Sequence, residues 1–150
     1  MEIVKLKTTD LTYIDQCDLL FKNFIKSELK YDNNLAYRDD FKSFKNDLTD
    51  IKNFLYSAIE NNTVIGFLYC YINKSKSELN DVAHLGFLYV NEEYRNKKIA
   101  TKLIETFINE IKLLGIKNID VKVYNNNVIA NKLYKKFGFD DLWINLRKEL

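Results

Sequence analysis

With 150 residues, 47% of them hydrophobic, the chain is long enough to bury a core and too apolar for disorder. Its 23 Lys and Arg against 21 Asp and Glu leave a net charge of +2, which gives no reason to expect a nucleic-acid surface and confines any basic site to a local patch. No stretch approaches the ~20 apolar residues of a membrane span, and MEIVKLKTTD lacks the apolar centre of a signal peptide, so a cytoplasmic protein is expected.

Residues 2–7, EIVKLK, alternate as a half-buried strand does, and Thr8, Thr9 and Asp10 offer N-cap oxygens for a following helix. Leu11, Ile14, Cys17, Leu20, Phe21, Phe24 and Ile25 recur at three- and four-residue steps, which predicts one apolar helix face through about Leu29. Cys17 and Cys70 sit in apolar runs without metal-type spacing and read as reduced core residues. Residues 30–40 are polar and aromatic and read as a loop. Phe41, Phe44 and Leu48 suggest a short second helix, and residues 53–72 read as two strands joined at Asn61-Asn62. A polar break over 73–81 precedes another strand, VAHLGFLYV, at 82–90.

The second half is more regular. Ile99, Leu103, Phe107, Ile111 and Leu114 trace a helix stopped by Gly115, and residues 119–124, IDVKVY, form a strand. Asn127 can cap a last helix carrying Ala130, Leu133, Tyr134 and Phe137, stopped by Gly138, before a final strand through Trp143. Without a repeat or a Pro- or Gly-rich linker, residues 1–150 read as a single mixed α/β domain.

Between the strand ending at Val90 and the helix starting near Lys98, three cations, Arg95, Lys97 and Lys98, stand at a helix N-terminus. First-turn amides there have no partner inside the helix, and cations are unfavourable beside them unless an anion binds. The alternative is a solvated basic loop.

These residues resemble a known family. YVNEEYRNKKIATKLI is similar to the signature of the GNAT superfamily of N-acetyltransferases, in which a strand leads to R/Q-x-x-G-x-G/A at a helix start; here the motif runs Arg95-Asn96-Lys97-Lys98-Ile99-Ala100. NNVIANKLYKKFGF resembles the family's later motif through Asn127, Ala130, Tyr134, Gly138 and Phe139, and TVIGFLY resembles its preceding strand. Lys98 stands where the motif has glycine. A lysine there keeps the binding amide provided that its φ remains helical and its side chain swings away.

The resemblance implies the GNAT-type fold, a central mixed, mostly antiparallel sheet flanked by helices, and acetyl-CoA as acetyl donor. It implies a pyrophosphate held around Arg95, Asn96, Lys97, Lys98, Ile99, Ala100 and Thr101, with pantetheine beside Leu88, Tyr89 and Val90 and a contact from Asn127. It also implies that Tyr134 protonates the departing thiolate; read from the stripe alone, Tyr134 is a core residue and Asn127 a helix cap. The acceptor is then a primary amine of a small molecule or a protein, with a homodimer as one possible assembly. The strand acid that many family members carry aligns with Gly86, so His84 or water is left as proton acceptor. Asp32, Tyr37 and Asp81 are expected near the substrate, with Asp39 and Asp40 as further anions, against the alternative of a solvated loop. The alternative function is a non-catalytic acyl-CoA-binding or interaction module with the same fold.

Overall fold

The computed structural model describes residues 1–36, 41–74 and 78–150. Five strands, β1 (Glu2–Lys5), β2 (Asn53–Glu60), β3 (Thr63–Asn73), β4 (Val82–Val90) and β5 (Asn118–Val121), form one sheet in sequence order. Every pairing is antiparallel except β4 with β5, which is parallel. Helices α1 (Leu11–Glu28) and α2 (Phe44–Asp47) cover one face, and α3 (Ile99–Leu113) and α4 (Val128–Lys136) lie with the other.

Covering both faces explains the sequence of the central strands. In β2, Phe54, Tyr56 and Ala58 pack toward α3, while Leu55 and Ile59 pack toward α1 and α2, so the strand is a nearly unbroken apolar run. The α1 face is aromatic: Phe21 lies 4.7 Å from Phe87 and 5.4 Å from Phe44, ring centre to ring centre. The α3 face is aliphatic, built on Ile99, Leu103, Ile104 and Ile111, with Phe107 among them. Asn61 and Asn62, both at positive φ (50° and 62°), make the tight β2–β3 turn, whose twist matches that of the strands it joins.

Several expectations change in detail. Asp10 precedes α1 but caps none of its amides with its side chain; its carboxylate accepts instead from the Lys7 N–H at 2.7 Å. The strand expected over 119–124 ends at Val121. The final strand expected through Trp143 does not form: beyond α4 the described chain is irregular, with Leu142, Trp143, Ile144 and Leu146 exposed. That tail is tied by side chains, Lys135 to Asp141 at 2.8 Å and Arg147 to Asp32 at 2.7 Å.

The β4–β5 pair positions the site. Its register runs from Val82↔Asn118 to Leu85↔Val121 and stops there, while β4 continues to Val90. At that point β4 carries a bulge, because Tyr69 pairs with Phe87 and Cys70 with Leu85, leaving Gly86 extra. A Cβ at Gly86 would lie 3.0 Å from the Tyr69 ring, tighter than ordinary contact, so a side chain there would need the ring to give. Past the bulge the two strands part.

Candidate active site

A cavity of about 70 Å³ opens in the gap, lined by Leu85, Gly86 and Leu88 of β4, by Val121 to Val123, and by Asn127, Ala130 and Tyr134 around α4. Phe24 and Glu28, from the end of α1, close its other side. Its size suits a reacting centre of a few atoms and excludes a whole drug-sized ligand.

Tyr134 is held by the way α4 ends. The Gly138 N–H donates to the Lys135 carbonyl at 3.0 Å and the Phe139 N–H to that of Tyr134 at 3.1 Å, with Gly138 at φ +84°, a Schellman stop. The Phe139 ring then packs edge-on against Tyr134, ring centres 5.6 Å apart. At the other end, the Asn127 side chain accepts from the Ala130 N–H at 3.2 Å, and Asn131 donates to the carbonyls of Tyr124 and Asn127 at 2.9 Å each. Tyr134 is 8% exposed, and its hydroxyl has no hydrogen-bond partner among the described residues. Burial, seconded by the charge of Glu28, pushes its phenol well above the usual tyrosine range, so it stays protonated at neutral pH.

The basic turn lies beyond the end of β4. The Arg95 Nε donates to the Val90 carbonyl at 3.1 Å, its guanidinium stands 5.6 Å from the Tyr89 ring centre, and Nη1 is 3.9 Å from Glu92. Asn96 and Lys98 both have positive φ (62° and 60°), so the helical φ on which the binding amide of Lys98 was made conditional is not met: its backbone is left-handed. This is the conformation in which glycine is at ease, which accounts for the motif's usual residue there. No side chain caps α3, whose first turn carries Ile99, Ala100 and Thr101. The uncapped amides, the left-handed turn and the exposed Lys97 and Lys98 fit an anionic group such as a pyrophosphate.

The other expected residues are placed less centrally. His84 is absent from the cavity lining; its ring stacks on Tyr71 at 4.9 Å, and its Nε2 is 2.6 Å from the Asn73 Oδ1. Asp32 is engaged by Arg147, by the Asn34 N–H at 2.9 Å and by the Tyr124 hydroxyl at 3.4 Å, which leaves its carboxylate occupied. Asp81, just before β4, is also outside the lining, and Tyr37, with Asp39 and Asp40, falls outside the described residues. Leu88 reaches the cavity, whereas Tyr89 and Val90 are buried in the two cores.

Sequence reasoning passed over Glu28, Phe24 and Lys122, which also line the cavity. For Glu28 a signal existed: it continues the Cys17, Phe21, Phe24 stripe by one more four-residue step, placing an acid where the face wants an apolar side chain.

The [Ribosomal protein bS18]-alanine N-acetyltransferase of Haemophilus ducreyi is 32% identical over 85 residues, 57% of this chain and 54% of that protein, so the match spans about half of the relative's length. Among solved structures, a Bacillus halodurans protein superposes with TM-score 0.85 at 14% identity, covering 100% of this chain and 99% of that one. An aminoglycoside N-acetyltransferase in complex with CoA superposes with TM-score 0.71 at 16% identity, covering 99% of this chain and 100% of that one. Residues 17–139 match the profile of the Acetyltransferase (GNAT) family, and the chain belongs to that family.

Proposed function

We propose that this chain, as one catalytic domain in the cytoplasm, transfers an acetyl group from acetyl-CoA to a primary amine by direct attack. The observation that carries the reading is the unpaired, protonated hydroxyl of Tyr134, enclosed in the gap where β4 and β5 part. Acetyl-CoA supplies the activated acyl group. The turn at residues 95–101 is the anion-binding end of its site, and the wall of β4 at Leu88 leads from there to the cavity. Tyr134 donates a proton to the sulfur as the carbon–sulfur bond breaks. A relative named as a ribosomal-protein alanine N-acetyltransferase and a neighbour named as an aminoglycoside N-acetyltransferase support an amine acceptor of either size.

The test is a panel of an alanine-initiated hexapeptide, sisomicin, spermidine and free amino acids, read by release of the CoA thiol. Turnover of at least one is expected; tight acetyl-CoA binding with no turnover would leave the non-catalytic module instead. Tyr134→Phe keeps the ring packing and removes the donor. Its kcat should fall about 10²-fold, the low end for general acid catalysis, because a thiol of pKa ~8.5 already leaves well. Full turnover in that variant removes Tyr134 from the mechanism.

A further inference from the structure

We infer that Glu28 is the proton acceptor of the reaction, its carboxylate reaching the acceptor amine from the α1 side of the cavity that holds Tyr134. The inference rests on the acetyl-transfer reading and supplies the group that reading lacks.

Among the described residues, the titratable side chains lining the cavity are Glu28, Lys122 and Tyr134. Lys122 is a cation whose ammonium stands 5.6 Å from the Trp143 ring centre, and Tyr134 is a donor, which leaves Glu28 to accept. The strand wall carries glycine at position 86, where any side chain would press on the Tyr69 ring, so no acid stands there. His84 is outside the lining and already bound to Asn73.

Nothing structural accounts for a carboxylate at this position. Glu28 is the last residue of α1, where the helix dipole disfavours negative charge. It is partly buried, yet its carboxylate makes no hydrogen bond or ion pair with the described residues. A carboxylate so placed is normally paired, and the partner missing here is a cation that arrives with the substrate. Burial holds its pKa above the usual carboxylate range, with Lys30 acting in the opposite sense, which moves it toward the basicity that proton transfer at neutral pH requires. The other groups around it are Tyr124, Tyr134 and Lys122, with Asp32 nearby and neutralised by Arg147.

The balance is simple. The ammonium of the acceptor gives one proton to the Glu28 carboxylate and becomes a free amine. Its nitrogen bonds to the acetyl carbon as the carbon–sulfur bond breaks, and the sulfur takes the Tyr134 proton. The second nitrogen proton restores the Tyr134 phenolate through water, and Glu28 releases its own proton to solvent.

Glu28→Gln keeps the shape and removes the base. On the fastest acceptor of the panel, kcat should fall about 10²-fold with the acetyl-CoA thermal shift unchanged, and Glu28→Asp should recover part of the loss. Wild-type kcat/KM should level off above the pKa of Glu28. The Gln variant should instead keep rising, about tenfold per pH unit, until the amine's own pKa, because only amine already free in solution then reacts. The Gln variant should melt no lower than wild type at neutral pH, since an unpaired, partly buried charge has gone. A higher KM at unchanged kcat, or an unaltered pH profile, overturns the role of Glu28 alone. Failure of wild type on every amine overturns the acetyl-transfer reading and this one together.

Discussion

Lys98 spends its folded life at φ 60° and ψ 20°, a conformation that disfavours L-residues by about 1–2 kcal/mol. Its side chain is exposed, so nothing in the packing compensates. Lys98→Gly relieves the strain at a cost of about 0.5–1 kcal/mol in unfolded-chain entropy, and the net should be a gain of about 0.5–1 kcal/mol. Lys98→Ala keeps the strain and should stay within about 0.5 kcal/mol of wild type. Thermal unfolding of the free protein separates them; equal melting temperatures for both variants would refute the strain. The motif marked this turn in the sequence, but φ was not legible, because a lysine in a basic run gives no sign of left-handed backbone. Glu28 was legible only as an irregularity in a stripe: its meaning needed the gap across from it, formed by strands almost sixty and more than ninety residues away.

At the scale of elements, glycines end two helices in the same way, and only one of them supports the site. Gly115 stops α3, with the Ile116 N–H donating to the Ile111 carbonyl at 3.3 Å, and Gly138 stops α4 beside Tyr134. A Cβ at either would meet nothing within 4 Å, so alanine at each costs only the left-handed strain, about 1–2 kcal/mol. Gly115→Ala should lower the melting temperature and leave kcat intact. Gly138→Ala should lower both, because it loosens the Phe139 contact that orients the Tyr134 ring; equal kcat values in the two variants would show that the helix stop does not position Tyr134. Both stops were readable from the sequence, since glycine after a stripe is a local signal. The end of β5 and the absent last strand were not. Val123 and Tyr124 have strand-forming side chains, but continuing to pair would close the gap, and the apolar pattern at Leu142 to Ile144 says nothing about whether a strand edge is within reach.

For the whole molecule, a ligand that binds only the folded chain adds stability by mass action, about 2.7 kcal/mol at a hundred times Kd. At ~2–4 °C per kcal/mol for a chain of this length, acetyl-CoA at that excess should raise the melting temperature by roughly 5–10 °C. Pantetheine fragments without the pyrophosphate should do much less, and Arg95→Glu should reduce the acetyl-CoA shift; equal shifts for the full donor and its fragment would dismiss the anion site. The tail answers to acid. Hydrogen bonds from Arg147, then from the Asn34 N–H, hold the Asp32 carboxyl below the usual range. The contribution of this clasp is therefore complete above the unfolded value of ~3.9 and is lost only as pH falls through the lower folded value. The Arg147 Nε–H resonance in an NMR titration should keep its bound shift through pH ~4 and move below it; movement above pH 5 would contradict the pairing. One further consequence lies in the chain's single tryptophan. Trp143 is 58% exposed in that tail, outside both cores, and sits over Lys122 of the cavity wall. With its indole more than half exposed, its emission maximum should lie near that of an unfolded chain and scarcely register denaturation, which circular dichroism would follow instead. The same indole is an optical sensor of the tail and the cleft, built in where a ligand that shifts Lys122 changes its brightness while the fold stays dark.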